Sequence, residues 1–348
     1  MKLSSLSLVA LGMLATSAFA TNSDRPTLNI LTYEVIKDYG VAQAISDLFE
    51  PQCGCKLNWF TDSSQFQMLN KYVLTANSKS AQAVDVIVGV DINSATLVKE
   101  KLQGLFRPIN YQVETLNNFP FAATWDNQFA QPLSSSAVTV IYNSDKYTPT
   151  RQFKDFPDLI EHMDFSFIFG DPRSNDLGRT LNKIIAYYAT NQEQRIALWQ
   201  KIKAKTVTVG KGWSSSYGVF AKGESQAALG YSSSVIYHTL VENKPNLQPL
   251  LQGAKLPFLV DSVLLTKNTK QAALADQFAA FLLTPEAQKL FFKYNSSYPV
   301  INIDAVLSPT ERAVAAGINN YQVLDLRNLD PQAEKDALDA YVKVFVQN

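Results

Sequence analysis

The chain has 348 residues, about twice a typical domain, which favours two domains over one. Hydrophobic residues make up 46% and charged residues 18%, a balance that supports a sizeable core and excludes a disordered chain. Thirty-one basic side chains match 31 acidic ones, which argues against bulk nucleic-acid binding, and 2 cysteines with 2 histidines are too few for a zinc cluster.

Residues 1–20 stand apart from the expected fold. Lys2 gives a positive start, Leu6 to Leu14 an apolar run, and Ala18-Phe19-Ala20 a small-x-small cleavage site, the pattern of a secretory signal peptide. Without them 30 basic and 31 acidic side chains remain, a net charge of −1. No cysteine lies near that site to carry a lipid, and no other run reaches the roughly 20 apolar residues of a membrane span. The expectation is an exported, soluble protein in an oxidising compartment, where Cys53-Gly54-Cys55 is free to bridge. A bridge across one residue closes a small loop and stabilises little, and two packed, unbridged cysteines are the alternative.

In chain order, strands are expected at 28–33, 56–60 and 84–90, with helices at 41–49 and 66–74 between them. The third strand is a nearly continuous apolar run of the kind covered on both faces. Further strands are expected at 138–142, 165–169, 206–209, 227–231 and 260–266. Helices are expected at 156–162, 177–190, 193–203, 214–222, 271–282, 285–294 and 331–344. This alternation predicts an α/β protein with mostly parallel sheets.

Ligands of open α/β sheets bind beyond the carboxyl ends of the strands. Here those ends carry Tyr33-Glu34, Asp62 to Gln65, Gly170 to Gly178, Gly210 to Tyr217, and Tyr231 to Ser234 followed by Tyr237. Aromatics, hydroxyls and amides dominate, with few charges, as suits a flat, polar, cationic small molecule. Trp213, Tyr231, Tyr237 and Tyr33 are read either as core packing or as a cage whose faces attract a cation. Their shared position after separate strands favours the cage. Asp176 reads as a helix N-cap, with Arg173 and Arg179 near enough to offset its charge.

Other chemistry is poorly served. No Gly-x-Ser-x-Gly elbow or calcium loop occurs, and His162 and His238 read as surface or cap residues rather than bases. Gly210-Lys211-Gly212 begins a dinucleotide fingerprint, but Ser215 replaces its third glycine and Trp213 blocks the turn. Tyr187-Tyr188 is either an iron-binding pair or part of a packed helix face.

The run KTVTVGKGWSSSYGVFAKGES over 205–225, continuing through Tyr231 to His238, resembles the periplasmic thiamine-binding proteins, soluble receptors of bacterial ABC importers. Leu31 to Glu34, Cys53 to Cys55, Asp85 to Asp91, Gly170 to Arg173 and Tyr298 to Val300 carry the likeness across roughly residues 28–300. It implies a two-lobed periplasmic binding protein (type II) fold with the ligand in the interlobe cleft. One lobe would hold 21–120 and about 250–300, the other about 121–249 and about 301–348.

The resemblance also implies ligand contacts at Tyr33, Trp213, Tyr231, Ser232, Ser233, Ser234 and Tyr237. Ser64 and Gln65 stand where the family has Asp-Gly, and Asn175 and Asp176 where it has a Ser-Thr pair expected to touch phosphate. Ser134 to Ser136 replace Asp-Tyr-Gly, and Tyr39 replaces a tryptophan. The cage is kept while the polar rim differs. Thiamine or its phosphates are the implied ligand, as cargo without cofactor or metal, with free thiamine expected to be preferred because Asp176 would repel a phosphate. The implied partners are a permease and its ATPase in the periplasm. Two rivals stay open. A thiaminase-type enzyme on the same fold would use Cys53 or Cys55 with Glu34 or Asp62, and a receptor for a polyamine or another organic cation would want more carboxylates than these strand ends offer.

Overall fold

A computed structural model of the chain describes residues 25–78, 83–112 and 115–347. The signal peptide expected over 1–20 lies outside the described residues.

The first units form where the apolar periodicity places them. Strand β1 (Thr27–Tyr33) buries Leu28, Ile30 and Leu31, and helix α1 (Val41–Cys53) lays Val41, Ile45 and Phe49 over it. Strand β2 (Lys56–Asp62) runs parallel to β1. Helix α2 (Gln65–Thr75) starts at Ser64, whose hydroxyl accepts from the Gln67 N–H and so satisfies one of the free amides of the first turn. Strand β3 (Val86–Asp91) is buried along its whole length, and Asp91 caps α3 (Ile92–Leu97).

Strand β4 (Ala130–Asn143) is 14 residues long, far longer than the 138–142 expected. Pro132 and Ser134 to Ser136 disguise its first half, because here polar residues are buried with partners: Gln131 Nε2 donates to the Ala279 carbonyl at 2.7 Å, and the Ser136 and Ser233 hydroxyls are 2.8 Å apart. Next come β5 (Phe167–Gly170), α4 (Asp176–Tyr188), β6 (Thr206–Gly210), α5 (Tyr217–Ala221), β7 (Ala227–Tyr231), α6 (Ser232–Leu240) and β8 (Lys255–Thr266). The main strand order is β2-β1-β3-β8-β4-β7-β5-β6.

That sheet is mixed, not mostly parallel. β1 pairs parallel with β2 and β3, and β5 pairs parallel with β6 and β7, but β8 and β4 run antiparallel to their neighbours through the middle. Residues 130–137 of β4 pair with β8, and 138–143 pair with β7 and the short strand Leu247–Pro249. The chain therefore passes from one half of the sheet to the other within β4. Two buried clusters result, one confined to the first half and a larger one that runs from Leu31, Ile87 and Val90 into the second. Phe49, Phe278 and Phe281 pack on β1 and β3, while Phe167, Phe169, Trp199 and Tyr341 fill the other side. Trp199 is fully buried and its Nε1 donates to the Ala337 carbonyl at 3.0 Å.

Cys53 and Cys55 are disulfide-bonded, with Cα atoms 5.1 Å apart. Tyr187 is 49% exposed on α4, so it belongs to the outer surface and not to a packed face. Among the described residues no helix is long and apolar enough to cross a membrane.

Candidate ligand-binding cleft

The strand ends converge on a cleft of about 220 Å³ lined from both halves of the sheet, a volume suited to one small organic molecule. Tyr33, Ser64, Gln65, Asn175, Asp176, Trp213, Tyr231, Ser233, Ser234 and Tyr237 all line it, as does Tyr39. Ser232 does not. Successive helical residues are turned by about 100°, so when Ser233 and Ser234 reach the cleft, Ser232 is swung away. It is buried, and its hydroxyl accepts from Tyr321.

One wall is a column of rings. Trp213 stacks on Tyr217 with centroids 4.3 Å apart and planes 13° apart, and Tyr231 lies 5.6 Å from Trp213. His238 continues the column, 5.8 Å from Tyr217. The turn before α5 places Trp213. Gly210 approaches so closely that a Cβ there would lie 2.5 Å from the Ser215 backbone, and the Ser216 hydroxyl donates to the Gly212 carbonyl at 2.8 Å. These local bonds hold 213–216 in a turn, which is why the helix expected from 214 begins only at Tyr217.

His238 is 6% exposed, not a surface or cap residue. Its Nδ1 lies 2.7 Å from Glu242 and its Nε2 2.9 Å from the Tyr217 hydroxyl. With Glu242 ionised, Nδ1–H donates to the carboxylate and Nε2 accepts from Tyr217. Burial pushes the His238 pKa down, against the opposing pull of Glu242. Burial also drives the Tyr217 and Tyr231 hydroxyls up, keeping both neutral.

The other wall is built on Tyr33. Gly89 has φ +88°, and a Cβ there would fall 2.4 Å from the Tyr33 ring, so glycine is what lets that ring lie against β3. The Tyr33 hydroxyl donates to Asp261 at 3.4 Å and accepts from Asn295 Nδ2 at 3.2 Å. Asp261 also accepts from Gln65 Nε2 at 2.6 Å and from the Ser134 hydroxyl at 3.3 Å. Sequence reasoning missed Asp261 because it sits inside the apolar run of β8. Register shifts lie beside it, after Asp261 against β4 and after Ser262 against β3, and such irregularities re-aim side chains. Burial pushes its carboxyl up to about 6; Gln65 opposes this and Asp91 adds to it. Tyr217 and Asn295 were missed as well, the first although it lies within the tryptophan run.

Asp176 is the first residue of α4, and the N-cap is Asn175, whose Oδ1 accepts from Gly178 N at 3.0 Å. Asp176 Oδ2 accepts from Gln65 N at 3.2 Å, while Oδ1 is sealed from solvent without a partner. Burial, reinforced by Asp91, raises this carboxyl to about 7, with Arg179 working the other way. Arg173 does not offset it, being tied to Asp171 at 2.6 Å. Among the described residues no group of three His, Cys, Asp or Glu side chains is placed to hold a metal ion.

A mixed α/β fold with a small, ring-walled cleft lined from both halves of its sheet is that of a binding protein for a small organic solute. A family profile, bacterial extracellular solute-binding protein, matches residues 44–316, and the chain belongs to that family. The thiamine-binding periplasmic protein of Haemophilus influenzae is 30% identical over 312 residues, 86% of this chain and 87% of that protein. That of Salmonella typhimurium is 31% identical over 299 residues, 83% and 84% of the two chains. The solved periplasmic thiamin binding protein superposes with a TM-score of 0.76 at 26% identity, covering 91% of this chain and 96% of the other. The fold is the two-lobed one expected from the sequence.

Proposed function

We propose that this chain captures thiamine between its lobes in the periplasm and delivers it to the permease and ATPase of an ABC importer. The observation that carries this reading is the Tyr231–Trp213–Tyr217 wall in one cleft with the carboxylates of Asp176 and Asp261, the third lining carboxylate, Glu242, being bonded to His238. Thiamine's thiazolium bears a permanent charge with no proton to lose, so it must be met by ring faces and anions. Ser233, Ser234, Gln65 and Asn295 supply neutral donors and acceptors for the aminopyrimidine.

The lobes divide where β4 changes partners, at Ala137–Val138. One face of α4 reaches across the division. Asp176 accepts from the Gln65 amide, Arg179 lies 3.9 Å over the Phe66 ring, and Lys183 Nζ donates to Asn93 at 3.0 Å. These contacts would form on closure, and a ligand that binds the closed form better shifts the population toward it.

The thiaminase reading loses its parts. Cys53 and Cys55 are bonded to each other, and neither they nor Glu34 or Asp62 line the cleft. A polyamine receptor gains support, because a pocket expected to be poor in carboxylates holds Asp176 and Asp261. Titration calorimetry with thiamine and spermidine, with native mass spectrometry of co-purifying ligand, separates the two. Saturable 1:1 thiamine binding is expected; spermidine alone binding would install the second reading.

A further inference from the structure

On the footing that the cleft is a thiamine site, its charges bear on which form of thiamine it accepts. Asp176 and Asp261 line the cleft, as does Glu242, which is engaged by His238 and Lys244, and Asp91 acts on the first two from behind the lining. Asp91 is committed to capping α3 through the Asn93 and Ser94 amides. Asp261, its register partner on β8, is held by Gln65, Ser134 and Tyr33. Asp176 stands at the N-terminus of a 13-residue helix, where unpaired amides and the helix dipole would otherwise welcome an external anion. It therefore brings an internal anion to that place, with one oxygen sealed and unpartnered.

The groups acting on the pair come from every adjoining element: Arg179 from α4, Asp91 from β3, Tyr33 from β1 and Tyr231 from β7. Arg179 is the one cation among them, and its guanidinium is seated on the Phe66 ring. Anions thus outnumber cations in the cleft.

We propose that Asp176 and Asp261 are specificity-determining residues that make the cleft select unphosphorylated, cationic thiamine over its phosphate esters. A thiazolium relieves the repulsion that each of these carboxylates feels from Asp91. A diphosphate adds to that repulsion, since like charges cannot all be ionised at short range without cost. Because burial already favours their protonated forms, a bound cation ionises them and expels protons, whereas a bound phosphate holds the protons on.

Calorimetry at pH 7 with thiamine and thiamine diphosphate, each in PIPES and in Tris, reads both affinity and proton transfer. The wild type is expected to bind thiamine on the order of tenfold or more tighter than the diphosphate, and to release protons with thiamine. Asp176→Asn should bring the two ligands within about threefold, chiefly by tightening the diphosphate, and should cut the proton release. Asp261→Asn, checked like the first variant by thermal melting, serves if Asp176→Asn does not fold. A wild type that binds both forms equally, or folded variants that keep the full ratio, would overturn this inference alone. A wild type that binds no form of thiamine overturns the receptor reading, and the inference with it.

Discussion

Replacing Trp213 with alanine separates a binding wall from a packed core. The indole is half-buried, stacked 4.3 Å from Tyr217 and 5.6 Å from Tyr231. For the protein alone, losing two ring contacts costs about 1–3 kcal/mol beyond area, since each pair contributes roughly 0.5–1.5 kcal/mol. For the ligand, the loss combines a cation–π attraction of about 0.5–2 kcal/mol with about 1 kcal/mol for some 40 Å² of apolar contact. The sum, about 1.5–3 kcal/mol, corresponds to a roughly 10- to 150-fold weaker Kd. Calorimetry at 25 °C gives the Kd, and a thermal melt of the same sample shows that the variant is folded. Tyr187→Ala is the control, because that ring is 49% exposed and does not line the cleft; its affinity should be unchanged. A folded Trp213→Ala protein whose Kd stays within about threefold of wild type would refute the assignment of Trp213 to the ligand wall.

Asp176→Asn also tests the buried carboxylate in the free protein. A folded pKa of about 7 lies above the unfolded value, so the folded state holds an extra proton between the two and wild-type Asp176 destabilises increasingly as pH rises. His238 acts in the opposite sense, which makes the variant-minus-wild-type difference the informative quantity: Asp176→Asn should be more stable by on the order of 1–3 kcal/mol at pH 8, the gain fading near pH 5. Cys53→Ser with Cys55→Ser should lower stability by only about 1.5 kcal/mol, since so small a loop restrains little chain entropy, and should leave thiamine affinity unchanged by calorimetry. Lys183→Met breaks the Asn93 bond and the 3.3 Å pair with Glu334 without touching the cleft, and should weaken apparent affinity by about three- to tenfold, with a larger small-angle-scattering radius.

Much of this molecule was legible in its sequence where one physical signal governed. Apolar periodicity placed β3 and the helix Phe156–His162, and the runs of aromatics and hydroxyls after the strands placed most of the cleft. What stayed hidden needed partners that lie far along the chain. The polar first half of β4 reads as loop until Gln131 is seen bonded to Ala279, 148 residues away. Asp261 reads as an accident in an apolar strand until Tyr33, 228 residues away, is found donating to it. His238 has no sequence signal of burial, because what buries it is the Tyr217 ring across a turn whose shape depends on local serine bonds.

On the proposed reading of the cleft, the same long-range pairing would let one residue join recognition to movement. Asp176, Arg179 and Lys183 are spaced three and four apart, so a single face of α4 meets Gln65, Phe66 and Asn93 on the other half of the sheet. Asp176 is the member of that set that also lines the cleft. Ionised, it is a stronger acceptor for the Gln65 amide than when protonated. A cation in the cleft favours the ionised form, so it strengthens the contact that draws α4 toward α2. On that reading ligand charge and lobe closure would act through one carboxylate, which is the differential interaction that any ligand-driven shift of population requires. An anion of the same shape would favour the protonated form of Asp176 and loosen that contact, so discrimination would show not only as weaker binding but as a smaller closed fraction at saturation.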